Sequence, residues 1–274
     1  MLKSLYSGVS GMKGFQTKLD VIGNNIANVN TVGFKKGRVM FQDLLSQNLS
    51  GATAPDDTIP QGGVNPRQVG LGVQMGAIDT VHTAGSPMTT GVTTDLSIRG
   101  DGFFLVSPDP ANGQIFLTRA GNFTFDADGN LVNSQGLFVL DTAENIINFA
   151  DFENVVNVDI SQNGVIEVTY NDDTTDSSTL GIAYVANPGG LRKEGSSLYS
   201  MTPNAHPGGN YYLGDLTGDD AGRSQIISGE LEMSNVDLTE EFTEMIVAQR
   251  GFQSNSRIIT TSDEILQEVV NLKR

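Results

Sequence analysis

The sequence predicts an α+β molecule in which helices at the two chain ends pair as an α-helical coiled coil, with an all-β middle domain inserted between them. Three observations lead there: apolar residues at three- and four-residue spacing near each end, short β-like runs broken by turn dipeptides between them, and opposite charge at the two ends. Residues 1–50 hold six bases against two acids, residues 51–229 six against 21, and residues 230–274 four against nine, within a total of −16. The expected organisation is an N-terminal helical segment over 1–45, a linker over 46–70, a β-rich middle over 71–228 and a C-terminal helical segment over 229–274 that pairs with the first.

The N-terminal seam runs through Leu5, Val9, Met12, Leu19, Ile22 and Ile26, with Leu2, Phe15 and Val29 continuing it and one slip across Val9, Met12 and Phe15. Gly8, Gly11, Gly14 and Gly23 interrupt it, and each costs about 1 kcal/mol relative to Ala inside a helix. Such a helix is marginal by itself. Between Leu19 and Phe34 the only charge is Asp20; Asn24 and Asn28 lie opposite Ile22 and Ile26, and Asn25 flanks the stripe. A solvated face would carry Lys or Glu there, so amides and glycines point to a second packed interface.

At the other end Leu238, Phe242, Met245, Phe252, Ile259, Leu266 and Val270 repeat the spacing, with Gln249, Ser256 and Asp263 as polar interruptions. Asp237 reads as the N-cap with Glu240 as its box partner, and Lys273 and Arg274 sit where the helix dipole favours cations. From Met245 to Ser262 the only charges are Arg250 and Arg257. Both helices are therefore expected to be buried by other copies of the chain, with Asn24, Asn25, Asn28, Arg250 and Arg257 bonding between subunits. The competing arrangement is one amphipathic pair packed on its own β domain.

The middle carries hairpin signals at Asp128-Gly129 and Asn163-Gly164 and strand patterns at 71–81, 96–106, 115–119, 138–140 and 181–185. Residues 50–70 read as linker and 203–222 as loop.

Chemistry finds little material. Cysteine is absent and the only histidines are His82 and His206, so no cofactor or metal site is expected. The acidic middle disfavours nucleic acid and anionic membrane surfaces. No apolar run reaches 18 residues, so insertion in a lipid bilayer is not expected, and the first residues lack the apolar core of a cleaved signal. Residues 70–76 imitate a dinucleotide fingerprint with one residue too many; Asp126–Asn130 starts like a calcium loop but has Leu131 and Leu137 where Gly and Glu are needed. Lys35, Lys36 and Arg38 suit contact with an acidic neighbour, His82 a hydrogen-bonded or exposed position, and Asp172, Asp173 and Asp176 a solvated loop. No catalytic constellation emerges.

Ser7-Gly-Val-Ser-Gly-Met12, Asn24-Asn-Ile-Ala-Asn28 with Thr31-Val-Gly-Phe-Lys35, Ser234-Asn-Val-Asp-Leu238 and Met245-Ile-Val-Ala-Gln-Arg250 resemble the bacterial flagellar rod and hook proteins. Gly100-Asp-Gly-Phe-Phe104 and Thr118-Arg-Ala-Gly-Asn-Phe123 look like the shared β-domain signature of that family. The resemblance implies a non-enzymatic homo-polymer, a helical tube outside the cytoplasmic membrane in the hook or basal body. It implies rod, hook-cap and hook–filament junction proteins as partners, and passage through the flagellar type III export apparatus without a cleaved signal. Phe41 and Leu45, in Phe41-Gln-Asp-Leu-Leu45, look like the element read at the export gate. Gly63–Gly72 and the ending Val269–Arg274 look most like hook-type subunits, so the resemblance implies a hook subunit, a flexible joint that passes torque from rod to filament; the length also suits the alternative, a distal-rod subunit.

Overall fold

The computed structural model describes residues 2–52, 54, 62–109, 113–150, 152–172, 174–206, 211–214 and 224–272. The chain divides into two units, one made of Met1–Ala27, Gly37–Asp79 and Asp237–Arg274, the other of Asn28–Lys36 and Thr80–Val236.

The first unit contains α1 (Leu2–Ala27), β1 (Gly37–Asp43), β2 (Ser46–Ser50), β3 (Arg67–Gly70), β4 (Val73–Thr80) and α2 (Leu238–Leu272). β1 pairs with β4 and β2 with β3. The N-terminal segment is thus helical to Ala27 and not to residue 45. Beyond it Asn28 and Thr31 accept turn hydrogen bonds from Thr31 N and Phe34 N, and the β-branched, Asn-rich sequence offers the helix nothing further. The expected linker is likewise partly strand: β2 and β3 pair antiparallel with every position exposed. Residues 53 and 55–61 of that linker lie outside the described residues, as do Asp173, Lys273, Arg274 and residues 207–210 and 215–222 of the expected loop. At the start of α2, Asp237 caps as expected: its Oδ1 accepts from Thr239 N at 2.8 Å and Glu240 N at 3.4 Å.

The second unit holds sixteen further strands: β5 (Pro87–Thr89), β6 (Leu96–Gly100), β7 (Phe103–Ser107), β8 (Phe116–Thr118), β9 (Phe123–Phe125), β10 (Leu131–Asn133), β11 (Phe138–Val139), β12 (Val155–Ile160), β13 (Val165–Tyr170), β14 (Thr175–Thr179), β15 (Ile182–Tyr184), β16 (Arg192–Gly195), β17 (Leu198–Ser200), β18 (Tyr212–Gly214), β19 (Ser224–Ser228) and β20 (Glu230–Glu232). The main sheet runs β16-β17-β8-β7-β11-β10-β9, with β15 joining β7 to β18; β12-β13-β14 form a second sheet, and β19 pairs with β6 and β20 with β5. Both hairpin dipeptides lie where expected, between β9 and β10 and between β12 and β13.

Strand β7 explains the core. Phe104 and Val106 face one apolar cluster with Leu96, Phe123 and Ile182, while Phe103 and Leu105 face another with Leu117, Leu140 and Tyr199. With successive side chains pointing to opposite faces, a strand buried on both sides must be apolar throughout, which is why Phe103–Val106 shows no alternation.

The segment 28–36 is tied into this unit by close backbone approach. Gly33 has φ +67°, and a Cβ there would lie 2.6 Å from Ala120 N, so glycine is required both by the dihedral and by the space. Its N–H donates to Glu232 O at 2.8 Å. Two residues later Lys35, expected on a basic surface, is buried and ion-paired to Glu232 at 2.5 Å. Its partner stands 197 residues away, so no local pattern announced it.

Candidate assembly interface

The two helices pack antiparallel. Gly8 faces Ile259, Gly11 faces Asn255 and Gly251 faces Phe15; further along, Lys18 forms an ion pair with Glu244, and Asn25 Nδ2 donates to Glu241 Oε2 at 3.2 Å. Small residues set this contact. A Cβ on Gly11 would lie 2.6 Å from the Asn255 amide nitrogen, and one on Gly251 would lie 2.6 Å from the Phe15 ring. The glycines that weaken α1 by propensity therefore permit close approach, whereas Gly23 has no atom within 4 Å.

The contact face departs from the expected seam. Along α2, Glu241, Ala248 and Ser262 are buried, and Gly251, Asn255, Ile259 and Leu266 are half-buried. Phe242, at 50 % exposure, and Phe252 and Val9 are left at the surface, while Met245, Leu5, Met12, Leu19 and Ile26 are half-buried and Ile22 is buried. Choosing large apolar residues rotated the seam by about one position, because the inner face was selected for smallness. The readable signal was the recurrence of Ala248, Gly251, Asn255 and Ser262 at spacings of three, four and seven residues.

The amides divide. Asn25 was expected to bond between subunits, but it is 1 % exposed, donates to Gly37 O at 2.9 Å and accepts from Gly37 N at 3.0 Å. Both ends of its side chain thereby lock the start of β1 to α1. Asn28 Oδ1 accepts from the Thr31 hydroxyl at 3.1 Å. Asn24, Arg250 and Arg257 are exposed. Phe41 lies on β1, against the site of Gly14 and with its ring centroid 5.8 Å from that of Phe15; Leu45 is 84 % exposed.

Among the described residues, the large apolar side chains left exposed are Met88, Val92, Val156 and Tyr212 in the β unit, and all the rest belong to the helical unit. They include Tyr6, Phe242, Ile246, Val247, Ile265 and Val270. Conversely, only Ile22 and Ala248 of the buried apolar residues lie in the helical unit. No helix of the described residues is long and apolar enough to cross a membrane, and no group of three or more His, Cys, Asp or Glu among them could hold a metal ion.

A closed β core joined to a helical pair that leaves apolar surface uncovered defines a structural subunit, built to be completed by contacts. Three family models match: residues 5–35 that of the flagella basal body rod protein, residues 97–168 the flagellar hook protein FlgE/F/G D1 domain, and residues 227–272 the flagellar basal body rod FlgEFG protein C-terminal region. The chain is 52 % identical to the flagellar basal-body rod protein FlgG of Bacillus subtilis (strain 168) and 38 % identical to that of Borreliella burgdorferi, in each case over all of both chains. It is also 31 % identical to the flagellar hook protein FlgE of Borreliella burgdorferi over all of both chains, in an alignment of 451 positions. The protein belongs to the flagellar basal-body rod and hook family, whose members are structural proteins and not enzymes.

Proposed function

We propose that this chain is a distal-rod subunit that polymerises into a stiff tube, with the paired terminal helices packing in coiled-coil fashion against those of neighbouring copies along its inner wall. The observation that carries this reading is the concentration of exposed large apolar side chains on the helical unit, against four on the β unit among the described residues. Val9, Phe242 and Phe252, at the surface, would be intersubunit contacts, as would the exposed Asn24, Arg250 and Arg257. Asn25, buried and bonded within the chain, is not assigned that role.

Rod is favoured over hook by length and by order. The Bacillus rod relative aligns over 275 positions, without the long gaps that the hook alignment of 451 positions requires. The stretch after Leu45, expected as a linker, pairs at its two ends as β2 and β3. The hook reading retains the likeness of Gly63–Gly72 to hook subunits. Export through the type III apparatus, with Phe41 and Leu45 as the recognised element, fits helices that are marginal alone, since a subunit that travels unfolded orders only among its neighbours.

Electron microscopy of basal bodies carrying a label on this chain separates the readings: label on the straight shaft is expected, and label on the curved segment establishes the hook. A chain lacking residues 2–27 and 238–272 is expected to remain monomeric. Tubes formed by that truncated chain refute the helical interface.

A further inference from the structure

In the interior of the β unit two buried cations share one carboxylate. Lys35 and Arg119 share Glu232, the guanidinium Nη1 lying 3.3 Å from Oε2, and Gly85 N donates to Oε1 at 2.9 Å. Lys35 Nζ also donates to Thr83 O at 2.8 Å, and Arg119 donates to Gly100 O at 2.8 Å and Ile98 O at 3.2 Å. Lys193, at the surface, donates to Lys35 O at 2.8 Å and lies 4.9 Å from the Phe34 ring centroid.

Three buried nitrogens remain without a hydrogen-bond partner: Arg119 Nε and both ring nitrogens of His82. This overturns the expectation that His82 is hydrogen-bonded or exposed. Its ring lies instead between Phe103 and Tyr199, with centroids 5.9 and 5.5 Å away. Buried polar atoms without partners are rare in native interiors, and each costs about 1–3 kcal/mol. Lys35, His82 and Arg119 border a cavity of about 340 Å³, with Asp101, Tyr184 and Ala186 also on its wall. That is roughly ten times the 30 Å³ share of one liquid water. Burial, followed by the fields of Lys35, Lys193 and Arg119, lowers the His82 pKa to about 4, against a weak opposing effect from the Pro188 backbone that falls short of hydrogen-bond geometry. Lys35 and Arg119 thus bring two cations to the cavity wall. Asp101, the carboxylate on the wall, is exposed and so largely screened.

We propose that this cavity binds a small oxyanion or carboxylate group, held by Arg119 Nε and the imidazole N–H of His82, with Lys35 supplying the surrounding charge. The group has two possible sources: phosphate from solution, or an acidic side chain of another copy of this chain, whose acids outnumber its bases 32 to 16. The second source rests on the self-association proposed above; the first does not.

The test follows the ring resonances of His82 in the dilute full chain at pH 7, with His206 as internal reference. Inorganic phosphate, added at constant ionic strength with chloride as control, is expected to move the His82 signals saturably and leave those of His206 in place. Arg119→Lys keeps the charge but loses Nε, and should weaken the response about tenfold or more, as loss of a charge-assisted bond does. Should that variant fail to fold, Ala186→Glu serves instead: its tethered carboxylate, added at an exposed wall position, should move the His82 signals without phosphate and blunt the phosphate response. If phosphate has no effect but the His82 signals move on concentration into assemblies, the anion comes from a neighbouring copy. Signals unmoved by phosphate, by Ala186→Glu and by assembly overturn the site.

Discussion

The β unit and the helical unit follow opposite rules of construction. In the β unit, β7 is buried on both faces, large aromatic and aliphatic side chains fill two clusters, and the ion pairs of Lys35 and Arg119 with Glu232 are taken inside. In the helical unit, large apolar side chains point outward while glycine, alanine, asparagine and serine occupy the contact. The difference shows that hydrophobicity alone does not locate a core. A chain meant to stand alone hides its largest side chains, whereas a chain meant for an assembly can reserve them for its neighbours.

The largest expected effect tests how closed the β unit is. Glu232→Gln leaves Lys35 and Arg119 buried without their shared counter-ion, and should destabilise that unit by about 3–5 kcal/mol, the usual result of breaking a buried pair from one side. Near-ultraviolet circular dichroism in urea reads this through the tyrosines and phenylalanines; a loss below about 1 kcal/mol would mean that the pair is not shielded from water.

Acid should act on the same interior. Well above pH 6.5, as at pH 7.5, His82 is largely neutral whether the chain is folded or not. As the pH falls from 6.5 towards 4, the unfolded chain binds the proton and the folded one resists it, so stability declines; below about 4 the decline levels off. Allowing for partial screening, the loss by pH 5 is about 1–2 kcal/mol. Urea midpoints at pH 7.5 and 5.0 measure it, and His82→Gln should remove this part of the slope. An unchanged slope in that variant would show that His82 is solvated.

Smaller effects distinguish the two kinds of glycine in the helical unit. Gly251→Ala drives a methyl into the Phe15 ring, and overpacking of that kind costs about 1–3 kcal/mol, less the roughly 1 kcal/mol gained in helix propensity. Gly23→Ala meets nothing within 4 Å, so it should add helix content to the solitary chain by the full propensity gain of about 1 kcal/mol. If Gly23 serves a contact between copies, the same substitution should slow assembly. Faster assembly would remove Gly23 from the interface.

Features fixed by neighbours in sequence were readable in advance: the N-cap at Asp237 and the hairpin turns at Asp128-Gly129 and Asn163-Gly164; the single strand expected over 96–106 is two, β6 and β7, parted at Asp101-Gly102. The terminal motifs were equally readable. Features fixed by distant partners were not. Lys35 looked like surface charge because nothing near it in the chain reveals Glu232 or Arg119, and Asn25 looked free because its acceptor at Gly37 lies past a turn. The exposed Phe242 and Phe252 were read as seam because spacing records that a side chain is apolar but not whether its cover comes from the same molecule. Strands β1 to β3 were missed since polar, two-sided-exposed ribbons carry no alternation to detect.

The ring of Phe41 lies down on Gly14 and beside Phe15 once β1 forms. On the export reading, folding draws Phe41, one of the two apolar residues of the address, half out of reach, while Leu45 stays at the surface. Only a chain that has not yet folded then presents both residues freely, so a finished subunit would be a poorer export substrate than a new one, with no cleavage step needed.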